Sequence, residues 1–188
     1  MKKQIITISG IPGSGKSSTS DLVAKKLGFK RFSSGDFFRE IGLELEISIN
    51  DVSKRAEIDP TIDQRTDAEI KKLGGSEKIV IDSRLAFHWI PESFKVYLDL
   101  PPEVAKGRIL NNLKENPLRK ESENAETHEE VYEKIIHRLE SEKKRYKELY
   151  GVDHTKKENF NLVIDTNKNN LEQVADIIVS EYKKWLTK

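Results

Sequence analysis

The sequence predicts an α/β domain with a central five-stranded parallel sheet flanked by helices, and three observations carry that prediction. Short apolar runs alternate with amphipathic segments from end to end. The runs are apolar on consecutive positions, as strands covered on both faces require. A glycine-rich turn stands between the first run and the first helical pattern.

Taken in order, Ile5 to Ile8 is the first strand, and Leu22, Val23 and Leu27 mark the helix after the turn. Lys30-Arg31-Phe32 is a weaker second strand. Residues Ser33 to Gly75 hold helical pieces only, with Pro60 opening one helix and Gly74-Gly75 closing it. Ile79-Val80-Ile81 is the third strand and Val96-Tyr97-Leu98 the fourth. Pro101-Pro102 starts a helix carrying Val104, Ile109, Leu110 and Leu113. Residues Asn111 to Thr127 are polar, contain Pro117 and read as an exposed mobile segment. Val131, Ile135, Leu139 and Leu149 mark a long charged helix. Leu162-Val163-Ile164 is the fifth strand, and Leu171, Val174, Ile177 and Ile178 mark the last helix.

At 188 residues the chain suits one well-cored domain. Charged residues make up 35% of it yet leave a net charge of +1, which argues against broad nucleic-acid binding. The absence of cysteine rules out disulfides and thiolate metal sites. The apolar run after Met1-Lys2-Lys3 is too short for a secretion signal, and no run approaches the roughly 18 residues of a membrane helix. The expectation is a cytoplasmic monomer acting on small molecules, with no membrane or nucleic-acid partner.

Gly10-Ile11-Pro12-Gly13-Ser14-Gly15-Lys16-Ser17 satisfies the phosphate-loop pattern G-x-x-x-x-G-K-[ST] in full. Glycines let the backbone curl so that successive N–H groups face phosphate oxygens. Lys16 adds a cation for the β- and γ-phosphates, Ser17 a hydroxyl for Mg²⁺, and the helix that follows its positive dipole end. Ser18 belongs to the same helix start. The pattern predicts a P-loop NTPase fold that binds a nucleoside triphosphate, and alone it fits a GTPase, a motor, a kinase or a nucleotide switch. In such a fold the core comprises 1–32, 76–110 and 128–188, a substrate-binding insertion 33–75 and a lid 111–127.

Three further motifs select among P-loop proteins. Ser34-Gly35-Asp36-Phe37-Phe38-Arg39 follows the second strand, and on its own could be a capped surface helix. It is similar to an element of adenylate and cytidylate kinases. Ile79-Val80-Ile81-Asp82-Ser83-Arg84 ends a strand in a carboxylate at the sheet edge where α/β ligands bind. That carboxylate can hold Mg²⁺, and Arg84 can fork onto a phosphate, unless the two are an ordinary surface pair. In Arg138-Leu139-Glu140-Ser141-Glu142-Lys143-Lys144-Arg145-Tyr146 the two arginines, seven apart, share one helical stripe that could clamp a transferring phosphoryl group. With Tyr150-Gly151-Val152-Asp153 after it, this run resembles archaeal-type cytidylate kinases, as does Asp82 to Ala86.

The resemblance covers Ile5 to about Lys184, with the motifs in family order. It implies a nucleoside monophosphate kinase using ATP and Mg²⁺ on CMP or dCMP. Arg39 and Arg84 would grip the acceptor phosphate, Ser34 would lie near the acceptor nucleoside, and Asp36 and Asp82 would reach the metal through water. Arg138 and Arg145 would arrive with the lid, and Arg108 would lie against the donor adenine. Where related kinases add an arginine four residues after Arg108, this chain has Asn112, and Arg119 is the candidate substitute. Asp63 and Asp67, one turn apart after Pro60, would accept from a cytosine amino group, or else lie on a solvated face. Ala68 and Glu69 stand where the family usually has arginines. Thr166-Asn167-Lys168-Asn169 faintly resembles the guanine-reading element of GTPases and fits better as the loop beside the donor base. The four histidines show no zinc spacing, and Trp89 and Trp185 read as packing residues. Another small-molecule P-loop kinase, or an ATP-binding regulator without an acceptor, is the alternative.

Overall fold

A computed structural model describes residues 2–115 and 127–187. Strands β1 (Ile5–Gly10), β2 (Lys30–Ser33), β3 (Ile79–Asp82), β4 (Phe94–Asp99) and β5 (Leu162–Asp165) form one sheet in the order β2-β3-β1-β4-β5. Every pairing is parallel, so the predicted five-stranded parallel sheet is the observed one. The central strand β1 is buried at all six positions, whereas the edge strands are not, with Lys30 and Val163 exposed. That difference explains why the β2 pattern reads weakly: one edge of it meets solvent.

Alternation sorts the central side chains between two cores. Ile6, Ile8, Val80, Val96 and Leu98 pack on helices α1 (Lys16–Leu27) and α8 (Leu171–Thr187), through Val23, Val174, Ile178 and Tyr182. Ile5, Ile79 and Ile81 pack on the opposite side against Ile70 of α4 (Thr61–Leu73) and Ala86 of α5 (Ala86–Trp89). Each such isoleucine is fully buried, a contribution of about 1.5–3 kcal/mol apiece.

The insertion at 33–75 is helical as expected. It comprises α2 (Ser34–Leu45), α3 (Ile49–Ala56) and α4, closed on a small core of Ile41, Val52, Ala56 and Ile62. Helix α6 (Pro102–Glu115) runs five residues past the expected end of the core at 110, and residues 116–126 of the expected lid, with Arg119, lie outside the described residues. The long helix α7 (His128–Tyr150) starts in a capping box, Thr127 and Glu130 each closing the other's backbone N–H. It packs on α6 through Ile109, Tyr132 and Ile135. Among the described residues no helix is long and apolar enough to cross a membrane.

The register pairs Ile8 and Ser33 with Asp82, which brings the ends of β1, β2 and β3 to one edge. There β1 lies between β3 and β4, the crevice where the chain switches direction across the sheet.

Candidate active site

The phosphate loop joins β1 to α1. Gly13 and Gly15 take φ of 81° and 88°, left-handed conformations that side chains resist. A Cβ on Gly13 would also stand 3.0 Å from the Ala105 carbonyl of α6, so the loop and that helix meet backbone to backbone. Gly15 is the N-cap of α1, leaving the first N–H groups of the helix directed into the crevice. Lys16 Nζ donates to the Ile11 carbonyl at 3.0 Å, folded back over its own loop. Pro12, Gly13, Gly15, Lys16, Ser17 and Ser18 line a cavity of about 300 Å³, with Arg84, Arg108 and Arg138 on its far walls. Arg108 is pinned there by donating to the Thr166 carbonyl at 2.6 Å, which places the 166–169 loop beside this cavity.

Beside the loop the Ser17 hydroxyl donates to Asp82 Oδ2 at 2.7 Å. Asp82, 5% exposed, also accepts from Arg31 Nη2 at 3.3 Å. Arg31 continues to Asp36, which is paired in turn with Arg39 on the more exposed rim. Ser34 opens α2 with its hydroxyl 3.5 Å from the Asp82 carbonyl, and Ser33, one residue earlier, is the N-cap. The Ser–Asp–Arg motif and the phosphate loop, far apart in sequence, thus form one polar network.

A second cavity, of about 140 Å³, opens on the other side of Arg84. Ser34, Gly35, Phe38 and Arg39 of α2, Asp63, Thr66 and Asp67 of α4, and Arg138, Glu142 and Tyr146 of α7 line it. Arg84 and Arg138 line both cavities and stand between them. Arg84 is not a surface partner of Asp82. Its guanidinium pairs with buried Glu142, Nε at 2.8 Å from Oε2 and Nη1 donating to Oε1 at 3.2 Å. Arg138 Nη1 donates to Asn50 Oδ1 of α3 at 3.4 Å, tying α7 to the insertion.

Arg145 departs from the expectation. It lies one helical stripe with Arg138 but is 5% exposed and lines neither of these cavities. Its Nε donates to Asp63 Oδ2 at 2.7 Å and its Nη2 to Oδ1 at 3.3 Å, with Ser141 on Nη1. Asp63 is therefore not on a solvated face, and its carboxylate is committed to a forked pair. Asp67 is 6% exposed and lines the second cavity, with the Tyr150 hydroxyl and the Trp89 indole N–H set against its carboxylate. Burial holds its carboxyl above the ordinary range, against the opposing pull of Tyr150 and Trp89 beside it. Trp89 packs edge-on to Tyr150 at 4.9 Å, a packing residue as expected.

His154, which follows the Tyr-Gly-Val-Asp run, is 1% exposed with both ring nitrogens unpaired. Burial, reinforced by the Arg84 guanidinium, pushes its pKa down to about 3. A depressed value means the unfolded chain takes up a proton near pH 6.5 that the folded protein refuses, so stability is lost as pH falls from about 6.5 towards 3. His154→Phe removes that loss. Between pH 6.5 and 5 the variant is expected to lose about 2 kcal/mol less unfolding free energy than the parent, measured by urea denaturation at both values.

Comparison with known proteins fixes the family. A family model described as an AAA domain matches residues 6–129. A cytidylate kinase of Methanosarcina barkeri is 34% identical over 92% of this chain and 93% of its own length. The chain belongs to the cytidylate kinase family. A second member-like relative, the S-adenosylmethionine-dependent nucleotide dehydratase of Lacinutrix mariniflava, is 31% identical over 97% of this chain, which spans 36% of that longer protein. Among solved structures, shikimate kinase of Acinetobacter baumannii superimposes with a TM-score of 0.64 at 18% identity, covering 99% of this chain and 96% of that one. That likeness is of fold, a P-loop kinase sheet with its flanking helices. Sequence reasoning passed over Arg31, Asn50 and Glu142. Glu142 was visible inside the quoted arginine run, but its neighbours Glu140, Lys143 and Lys144 give it the look of a solvated face.

Proposed function

We propose that this protein transfers the γ-phosphoryl group of ATP to a cytidine monophosphate, CMP or dCMP. One observation carries the reading: two cavities, one walled by the phosphate loop, meet at a pair of arginines common to both. A phosphoryl group passing between two nucleotides needs such a junction, since charge spreads over its equatorial oxygens in transit. Lys16 and the loop N–H groups hold the donor phosphates, and Arg108 flanks the donor base. Arg84, Arg138 and Arg39 face the acceptor phosphate, whose oxygen forms the new bond to Pγ as the bridge to ADP breaks. The protein positions and neutralises; it forms no covalent bond of its own.

Ser17 and Asp82 offer hard oxygens suited to Mg²⁺, with Asp36 further out on the same network. Bound there, Mg²⁺ would neutralise charge on the transferring group.

The base reading rests on Asp67. A carboxylate lining the second cavity can accept from the exocyclic amino group of cytosine, where uracil presents a carbonyl oxygen that would repel it. Turnover against a panel of CMP, dCMP, UMP, AMP, cytidine and shikimate, with the product nucleotide resolved by chromatography, tests this. CMP or dCMP is expected to give the highest kcat/KM, and exclusive use of AMP or of a non-nucleotide would refute it.

A further inference from the structure

Arg31 is the residue that the reaction as described leaves unexplained. It sits in edge strand β2, in register with Val80 of β3, a position where a lysine or threonine would serve the strand as well. Its guanidinium instead spans three carboxylates. Nε lies 3.4 Å from Asp21 Oδ1, Nη1 3.5 Å from Asp36 Oδ2 and Nη2 3.3 Å from Asp82 Oδ2. The oxygen it touches on Asp82 is the one that accepts the Ser17 hydroxyl. Arg31 is mostly buried, and Asp82 more so, which keeps their attraction from being screened as a surface pair would be.

We infer that Arg31 is a built-in counter-charge to the metal-facing carboxylates, setting how tightly the donor's divalent cation is held and letting ATP bind before that cation arrives. The inference rests on the reading that Ser17 and Asp82 face the metal of the donor nucleotide. Asp36 and Asp82 would repel one another and the triphosphate if they stood alone. A guanidinium shared between them removes both repulsions. The same positive charge opposes a dication approaching the same oxygens. Arg31 therefore acts with opposite sign on the two ligands: it weakens the metal and strengthens the metal-free nucleotide. A residue that merely braced β2 would shift both affinities together or neither.

The test uses the full chain with a non-hydrolysable ATP analogue. Mn²⁺ binding to the protein–analogue complex is followed by the loss of the free-ion electron paramagnetic resonance signal. Analogue binding with EDTA present is followed by calorimetry. In Arg31→Gln, Mn²⁺ is expected to bind about fivefold tighter and the metal-free analogue about fivefold weaker. Arg31→Lys keeps the charge and is expected to stay within about twofold of the parent in both measurements. Should the glutamine variant fail to fold, Asp21→Asn, on the exposed flank of the cluster, is expected to move both affinities about twofold the other way. Unchanged affinities, or a shift of both in one direction, overturn the inference while leaving the kinase reading intact. If the parent complex takes up no Mn²⁺ at all, the metal-facing role of Ser17 and Asp82 fails, and the inference with it.

Discussion

Lys16→Ala is expected to lower kcat/KM for phosphoryl transfer by about a thousandfold or more, measured by coupled ADP release. Loss of a single neutral donor at a developing charge costs about 10²–10³ in rate, and in the proposed role Lys16 brings a full cation to the β- and γ-phosphates. One of its partners, the Ile11 carbonyl at 3.0 Å, is a neutral acceptor of the loop itself, against which a phosphate oxygen is the stronger acceptor. Lys16 is not part of the buried core, so the thermal midpoint of the variant should stay close to the parent's. Arginine is a poor replacement, because its wide planar fork does not fit where a point charge reaches through the loop.

Arg145→Ala is expected to cost about 3–5 kcal/mol of unfolding free energy, measured by urea denaturation at pH 7. It strips the partner from Asp63, which is 3% exposed and takes both of its strong hydrogen bonds from this arginine. The two residues belong to α4 and α7, so the pair fastens the insertion to the long helix that carries Arg138. Burial already raises the Asp63 carboxyl, and the Arg145 guanidinium pulls the other way. Without Arg145 that carboxyl rises further. A raised carboxyl stabilises the folded state below the unfolded value near 4 and forfeits this as pH rises through the folded value. The deficit of the variant should accordingly shrink when the denaturation is repeated at pH 5. Replacing both partners with leucine should recover most of the loss, since two apolar groups leave no buried charge.

The fate of Arg145 shows where the sequence ceases to be legible. The strands, the phosphate loop and the capped helices follow from local periodicity and turn chemistry: four strands stand where apolar runs placed them, and the weaker β2 stands at Lys30-Arg31-Phe32 as expected. The helical stripe of Arg138 and Arg145 was legible too. What occupies the guanidinium was not, because Asp63 lies 82 residues away and only the packing of α4 against α7 brings it near. Arg84 and Glu142, 58 residues apart, pose the same problem. Arg31 hid for another reason: in a short edge strand one charged residue reads as solvent-facing, and only the register with β3 sets it against Asp82. Asp67 could be ranked above Asp63 only once Arg145 had claimed the latter. Local patterns thus specify the phosphate-loop cavity, whereas the second cavity is assembled from long-range ion pairs.

The proposed function requires two nucleotide sites sharing Arg84 and Arg138, and a bisubstrate analogue joining cytidine to adenosine through a chain of phosphates measures that sharing directly. Linking two ligands that both fit converts the second binding event into an intramolecular one. By titration calorimetry the analogue is expected to bind at least about a hundredfold more tightly than ATP or CMP alone, and Arg84→Ala is expected to erase most of that advantage. An analogue that binds no better than ATP, with or without Arg84, would contradict the shared site.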